Sequence, residues 1–219
     1  TDAFRAFREH GVVPAELWDE VRAALTDVER TLDRQFGNPD CPLLISVRSG
    51  ARDSMPGMMD TILNVGLNAV TVDGLAILSG DRFAWDSWRR LIQMYGRVVL
   101  GADGEAFEHA LTAARTRAGV QDDSELDVAA LEGLVEEFRA IVAKTGTEFP
   151  DDPWEQLQGA VLAVFRSWDS PRAVAYRRST GIGNDGGTAV NIQAMVFGNI
   201  GDGSASGVAF TRNPNTGAP

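Results

Sequence analysis

The stretch Leu43–Asn68, LLISVRSGARDSMPGMMDTILNVGLN, decides how this chain is read. Leu43 to Val47 is short, apolar and bounded by Pro42 and a glycine loop, as expected of a buried strand. Arg48 closes the run. The loop after it is rich in Gly, Ser and Pro, carries a second arginine, Arg52, and holds Met55, Met58 and Met59. It then enters Thr61 and a further apolar segment. A strand feeding a flexible, arginine-bearing loop can present guanidinium and backbone N–H groups to phosphate. Gly50 and Gly57 let the backbone approach an anion closely. The loop lacks Gly-x-x-x-x-Gly-Lys-Ser/Thr spacing, and no Gly-x-Gly-x-x-Gly occurs. Taken alone the pattern is weakly specific, and a plain connection with satisfied arginines fits it better.

Outward from this loop, Pro14 to Phe36 has Leu17, Val21, Leu25, Val28, Leu32 and Phe36 three or four apart, predicting one amphipathic helix stopped by Gly37-Asn38-Pro39. Residues 71–168 read as almost wholly helical. One stripe is Trp85, Trp88, Leu91, Ile92 and Tyr95. A second runs Leu131, Leu134, Val135, Phe138, Ile141 and Val142. A third, opened by Pro153, is Trp154, Leu157, Val161, Val164, Phe165 and Trp168. Aromatics at this spacing are expected in a core. The pattern changes at Pro171. Thr188–Phe197 alternates, with Val190, Ile192, Ala194 and Val196 on one side, which predicts a strand. Gly198–Ser204 reads as a turn and Gly207–Thr211 as a second strand, giving a hairpin, followed by a turn at residues 213–217. So few strands suggest a piece of a larger domain.

The chain has 219 residues and a net charge of −11. An acidic balance argues against a nucleic-acid or anionic-membrane binder, so a polyanion needs a local arginine cluster. Arg48, Arg52, Arg177 and Arg178 are the candidates. Lys144 is the single lysine and suits a helix C-terminus. The single cysteine, Cys41, precludes an internal disulfide and fits a reducing cytoplasm. His10 and His109 sit in helical patterns and read as structural or surface groups. No apolar run approaches the ~18 residues of a membrane span.

VRSGARDSMPGMMDT (Val47–Thr61), GTAVNIQAMVFGN (Gly187–Asn199) and SGVAFTRNP (Ser206–Pro214) closely resemble segments of the pyruvate, phosphate dikinase family. FAWDSWRRLIQMYGRVVLG (Phe83–Gly101) and AVFRSWDSPRAVAYRR (Ala163–Arg178) resemble its helical insertion, so the likeness spans essentially the whole chain in order. The resemblance implies an α+β fold: a partial ATP-grasp nucleotide-binding domain with a large all-helical insertion and a β-hairpin near the C-terminus. It divides the chain into 1–70, with the phosphate-gripping loop; 71–170, the insertion; and 171–219, the adenine-side strands.

By that resemblance Arg48 contacts ATP phosphates and is the one catalytic candidate. Arg52, Ser54, Gly57, Met58, Met59, Asp60 and Thr61 form the loop that closes over them. Gln193, Met195 and Val196 line the adenine, and Arg177 is a further phosphate contact. The implied partners are ATP with Mg²⁺ and the phosphohistidine domain of a longer, cytoplasmic, homodimeric protein. No metal ligand is assigned here: the family's ATP-binding lysine, acidic metal ligands, partner arginine, phosphohistidine domain and pyruvate barrel are expected outside this chain. The sequence departs from the family at Gly186, where tryptophan is usual. Two alternatives stay open. One is a related ATP-grasp phosphotransferase such as phosphoenolpyruvate synthase, against which SMPGMMDT argues. The other is a non-catalytic binding module.

Overall fold

A computed structural model describes residues 2–201, 203–207, 209, 211–213, 216 and 218. Its centre is an antiparallel three-stranded sheet in the order β2-β1-β3, built from β1 (Ile45–Ala51), β2 (Thr61–Val65) and β3 (Thr188–Ala194). The middle strand is the apolar run of the deciding stretch. Ile45 and Val47 are fully buried, as are Ile62 and Val65 on β2. β1 is longer than the apolar run predicts. Ser49, Gly50 and Ala51 continue the ladder because each pairs with β3, opposite Val190, Ala189 and Thr188. β2 carries a bulge between its pairings at Ile62 and Val65, where Asn64 takes φ +61 and its side-chain amide donates to the Ser87 carbonyl at 3.1 Å.

Around the sheet lie α1 (Asp2–His10), α2 (Ala15–Leu32), α3 (Thr71–Ser79), α4 (Asp81–Val98), α5 (Gly104–Ala118), α6 (Val128–Ala143), α7 (Pro153–Ser167) and α8 (Pro171–Thr180). The stripes read from the sequence are the buried ones: Leu131, Leu134, Val135, Phe138 and Val142 on α6 are fully covered, and Phe138 meets Phe107 edge-on at 4.9 Å. α4 packs on β2, α3 and α6, whereas α7 lies against all three strands. The last helix of the helical stretch is therefore part of the sheet's own core.

The two helices nearest the site begin with the same kind of cap. α7 starts with Pro153 in its first turn and Asp152 accepting from the Trp154 N–H at 2.9 Å. α8 repeats the device with Pro171 and with Ser170 accepting from the Ala173 N–H at 3.3 Å.

Three expectations are corrected. α2 ends at Leu32, not Phe36. Asp33 turns left-handed at φ 51, and Phe36 is drawn back, donating its N–H to Glu29 at 2.8 Å and packing edge-on against Trp154. β3 ends at Ala194, after which the alternation changes phase. Met195 and Phe197 turn inward, Phe197 meeting Phe83 at 4.9 Å, while Val196 is 91% exposed. β3 finds its partner in β1 rather than in a hairpin mate. The expected second strand includes Val208 and Phe210, which lie outside the described residues, and Gly207, Ala209 and Thr211 are not in a strand. Asp202 in the expected turn, and Pro214, Asn215 and Gly217 in the last one, also lie outside the described residues.

Candidate functional site

Arg48 stands in the middle of the ladder, opposite Thr61 on β2 and Asn191 on β3. It was expected at a strand end, but a mid-strand position with neighbours on both sides holds its backbone more firmly. Its side chain is exposed, and among the described residues it makes no hydrogen bond or ion pair. Arg52, the first loop residue after β1, is likewise exposed and unpaired among them. Gly50 matters sterically: a Cβ there would stand 2.9 Å from the Asn191 amide nitrogen, so glycine lets that side chain lie across β1.

Residues 52–60 arch from β1 to β2. Met55, 6% exposed, pegs the arch to the core, and the Met58 N–H closes a turn onto the Met55 carbonyl at 3.1 Å around Gly57, whose φ is +72. Beneath the arch is a cavity of about 290 Å³ lined by Arg48, Gly50, Arg52, Ser54, Gly57 and Thr61, among others. That is the small end of the range for ligand sites, suited to a phosphate chain rather than to a whole nucleotide. Two free guanidinium groups on one small cavity give it the charge and the donors that would suit an anion.

The corner between α7 and α8 holds the arch from outside. Ser167 Oγ donates to the Val164 carbonyl at 2.8 Å and accepts from the Asp60 N–H at 3.2 Å. Arg172 Nε donates to the Met58 carbonyl at 3.0 Å, and its Nη2 pairs with the Asp60 carboxylate. Sequence reasoning missed both. Ser167 ends one helix and Arg172 opens the next, and neither local pattern shows a partner more than a hundred residues away.

Arg177 does not join this cavity. It is 1% exposed, its Nη1 donates to the Trp168 carbonyl at 2.6 Å, its Nε donates to Asn184 Oδ1 at 2.9 Å, and its guanidinium stacks over the Trp168 ring at 4.2 Å. Burial pushes its pKa below the usual arginine value, an effect Asp169 opposes. Trp168 and Asn184 hold Nη1 and Nε, so the guanidinium expected as a phosphate contact is turned into the fold and away from this cavity. Gln193 is exposed on β3, Met195 is half-buried, and Val196 projects to solvent. None of the three lines the cavity under the arch.

A larger cavity, about 410 Å³, lies between β2, α4 and α5. Two of its arginines are held. Arg89, 2% exposed, contacts Asp86 Oδ1 through Nε at 3.0 Å and Nη2 at 2.5 Å, and Arg90 Nε reaches Asp86 Oδ2 at 2.8 Å. Among the described residues no group of three or more His, Cys, Asp or Glu side chains is placed to hold a metal ion, and no helix is long and apolar enough to cross a membrane.

Fold and site together define an α+β domain whose central strand and the loop after it each carry an exposed arginine, unpaired among the described residues, on one small cavity. The family described as "Pyruvate phosphate dikinase, AMP/ATP-binding domain" matches residues 6–219, and the chain belongs to it. Pyruvate, phosphate dikinase of Clostridium symbiosum is 53% identical over 94% of this chain and 24% of its own length. That of Rhizobium meliloti (strain 1021) is 52% identical over 99% and 24%. That of Giardia intestinalis is 54% identical over 93% and 23%. The chain thus spans about a quarter of the length of these curated relatives.

Proposed function

We propose that this chain is the nucleotide-binding part of a pyruvate, phosphate dikinase, arranged as an ATP-grasp site. Arg48 grips the phosphates of ATP from the central strand. The arch from Ser54 to Thr61 covers them, with Arg52 adding charge. Gln193, Met195 and Val196 form the adenine side, where the exposed Val196 offers an apolar surface to a base. Residues 1–70 and 171–219 form the two sides of the cleft, and 71–170 is the insertion.

The observation that carries this reading is the unpaired Arg48, fixed between Thr61 and Asn191 at the mouth of a phosphate-sized cavity. Phosphoryl transfer relies on positioning and charge neutralisation, and a strand-borne bidentate donor supplies both. The whole enzyme converts ATP, pyruvate and phosphate to AMP, phosphoenolpyruvate and diphosphate, with the β-phosphoryl group passing first to a histidine on a phosphohistidine domain outside this chain. Dimer contacts also lie outside it. The carboxylates near the arch do not form a magnesium site, since Asp60 is engaged by Arg172 and Asp53 stands alone on the cavity wall. The magnesium ligands are expected outside this chain, and no step here depends on them. The single unpaired Cys41 suits a reducing cytoplasm.

The test is ³¹P NMR of the complete protein carrying this chain, supplied with ATP and pyruvate. Diphosphate appearing only when inorganic phosphate is added supports the dikinase. Turnover without added phosphate assigns the chain to a phosphoenolpyruvate synthase instead.

A further inference from the structure

The geometry points to Arg172 as a positioning residue for the phosphate-gripping arch, acting from α8 through Asp60 and Met58; this rests on the ATP reading above. Within the arch Met55 is buried, Met58 and Met59 are partly buried against the core, and one turn closes around Gly57. Glycine at a left-handed position makes such a segment mobile unless something outside holds it. Arg172 supplies two prongs of one planar guanidinium. Nε takes the Met58 carbonyl at 3.0 Å, and Nη2 takes the Asp60 carboxylate. Ser167 adds a third point by accepting from the Asp60 backbone N–H at 3.2 Å.

Position in the chain gives these contacts their consequence. Asp60 immediately precedes Thr61, the first residue of β2, and Thr61 is the ladder partner of Arg48. Fixing Asp60 therefore fixes where the arch rejoins the sheet beside Arg48, and fixing Met58 sets the height of the arch over the cavity. The Ser170 cap and Pro171 hold the first turn of α8, so Arg172 projects from a rigid element. Arg172 does not line the cavity, and its side chain is 48% exposed, so it is not needed to complete a core. A lysine cannot reproduce the arrangement, because one ammonium on a flexible stem lacks the planar two-pronged fork.

The experiment compares the wild-type chain with Arg172→Ala, Arg172→Lys and Asp60→Asn. Affinities for ATP and for adenosine are measured by calorimetry, and amide hydrogen exchange is followed over residues 52–61. For Arg172→Ala the expected result is about a tenfold weaker ATP affinity with adenosine unchanged, together with faster exchange at Met58–Thr61. Arg172→Lys restores part of the loss, and adding Asp60→Asn to Arg172→Ala costs little more. Unchanged exchange, or equal losses for ATP and adenosine, overturns the proposal. Should the wild-type chain alone bind no ATP, the affinities are measured in the complete protein that carries it, and absence of binding there overturns the nucleotide reading. The exchange arm then still decides whether Arg172 holds the arch.

Discussion

Arg48 and Arg177 are the same residue type put to opposite uses. Arg48 sits on the central strand, exposed and unpaired among the described residues. Arg177 sits on α8 at 1% exposure, where a carbonyl takes Nη1, an amide oxygen takes Nε and an indole face covers the guanidinium. Arg89, locked to Asp86, belongs with Arg177. A guanidinium that is expensive to bury is kept inside only where the fold satisfies it. One left free on a rigid strand keeps its donors available to a ligand.

Breaking the buried set should be costly for stability. Asp86→Ala strands Arg89 at 2% exposure without its carboxylate. A loss of about 3–5 kcal/mol is expected in urea unfolding, as for other buried charges left unpaired. A loss under ~1 kcal/mol would mean Arg89 finds water or Asp123 instead. Arg177→Ala leaves the Trp168 carbonyl and Asn184 without their donor, and about 2–3 kcal/mol should go. Its ATP affinity, measured in the same preparation below the unfolding transition, should be unchanged.

A third test of the buried interior uses pH. Burial, with a smaller contribution from Glu155, raises the Tyr95 pKa well above the ordinary phenol value, and its hydroxyl donates to the Glu155 carbonyl at 3.4 Å. The unfolded phenol releases its proton near pH ~10 while the folded one keeps it. The Tyr95 contribution is therefore complete below pH ~10 and falls as pH rises further, by up to about 1.4 kcal/mol per unit. Urea midpoints at pH 9.5 and 10.5 should differ accordingly, with the difference reduced in Tyr95→Phe.

Much of the fold was legible because it rests on periodicity. The deciding stretch marks β1, and the stripes on α4, α6 and α7 are the faces that pack, whereas on α2 Leu25 is buried and Leu32 is exposed. What escaped lacks a local signature. α8, PRAVAYRRST, has no apolar stripe, and only Ser170-Pro171 at its start and Gly181 past its end announce it. The phase change after Ala194 follows from Phe197 meeting Phe83 on a distant helix, and no alternation in the strand itself foretells it. Within the candidate site, the sequence singles out Arg48 beside the glycine loop, and the structure places it mid-strand with its side chain exposed. The partners of Arg177 and the role of Arg172 were not legible for one reason: what an arginine does depends on its neighbours. Trp168 and Asn184 for the first, and Met58 and Asp60 for the second, become neighbours only in the fold.

The most direct test of the central claim is calorimetric titration of Mg-ATP into this chain and into Arg48→Ala, with urea unfolding of both. The account predicts stability within ~0.5 kcal/mol of wild type, because Arg48 has no partner to lose, and ATP affinity weaker by roughly ten- to a hundredfold. Equal ATP binding by the two proteins would contradict the role given to Arg48 and return the glycine arch to a plain connection between two strands.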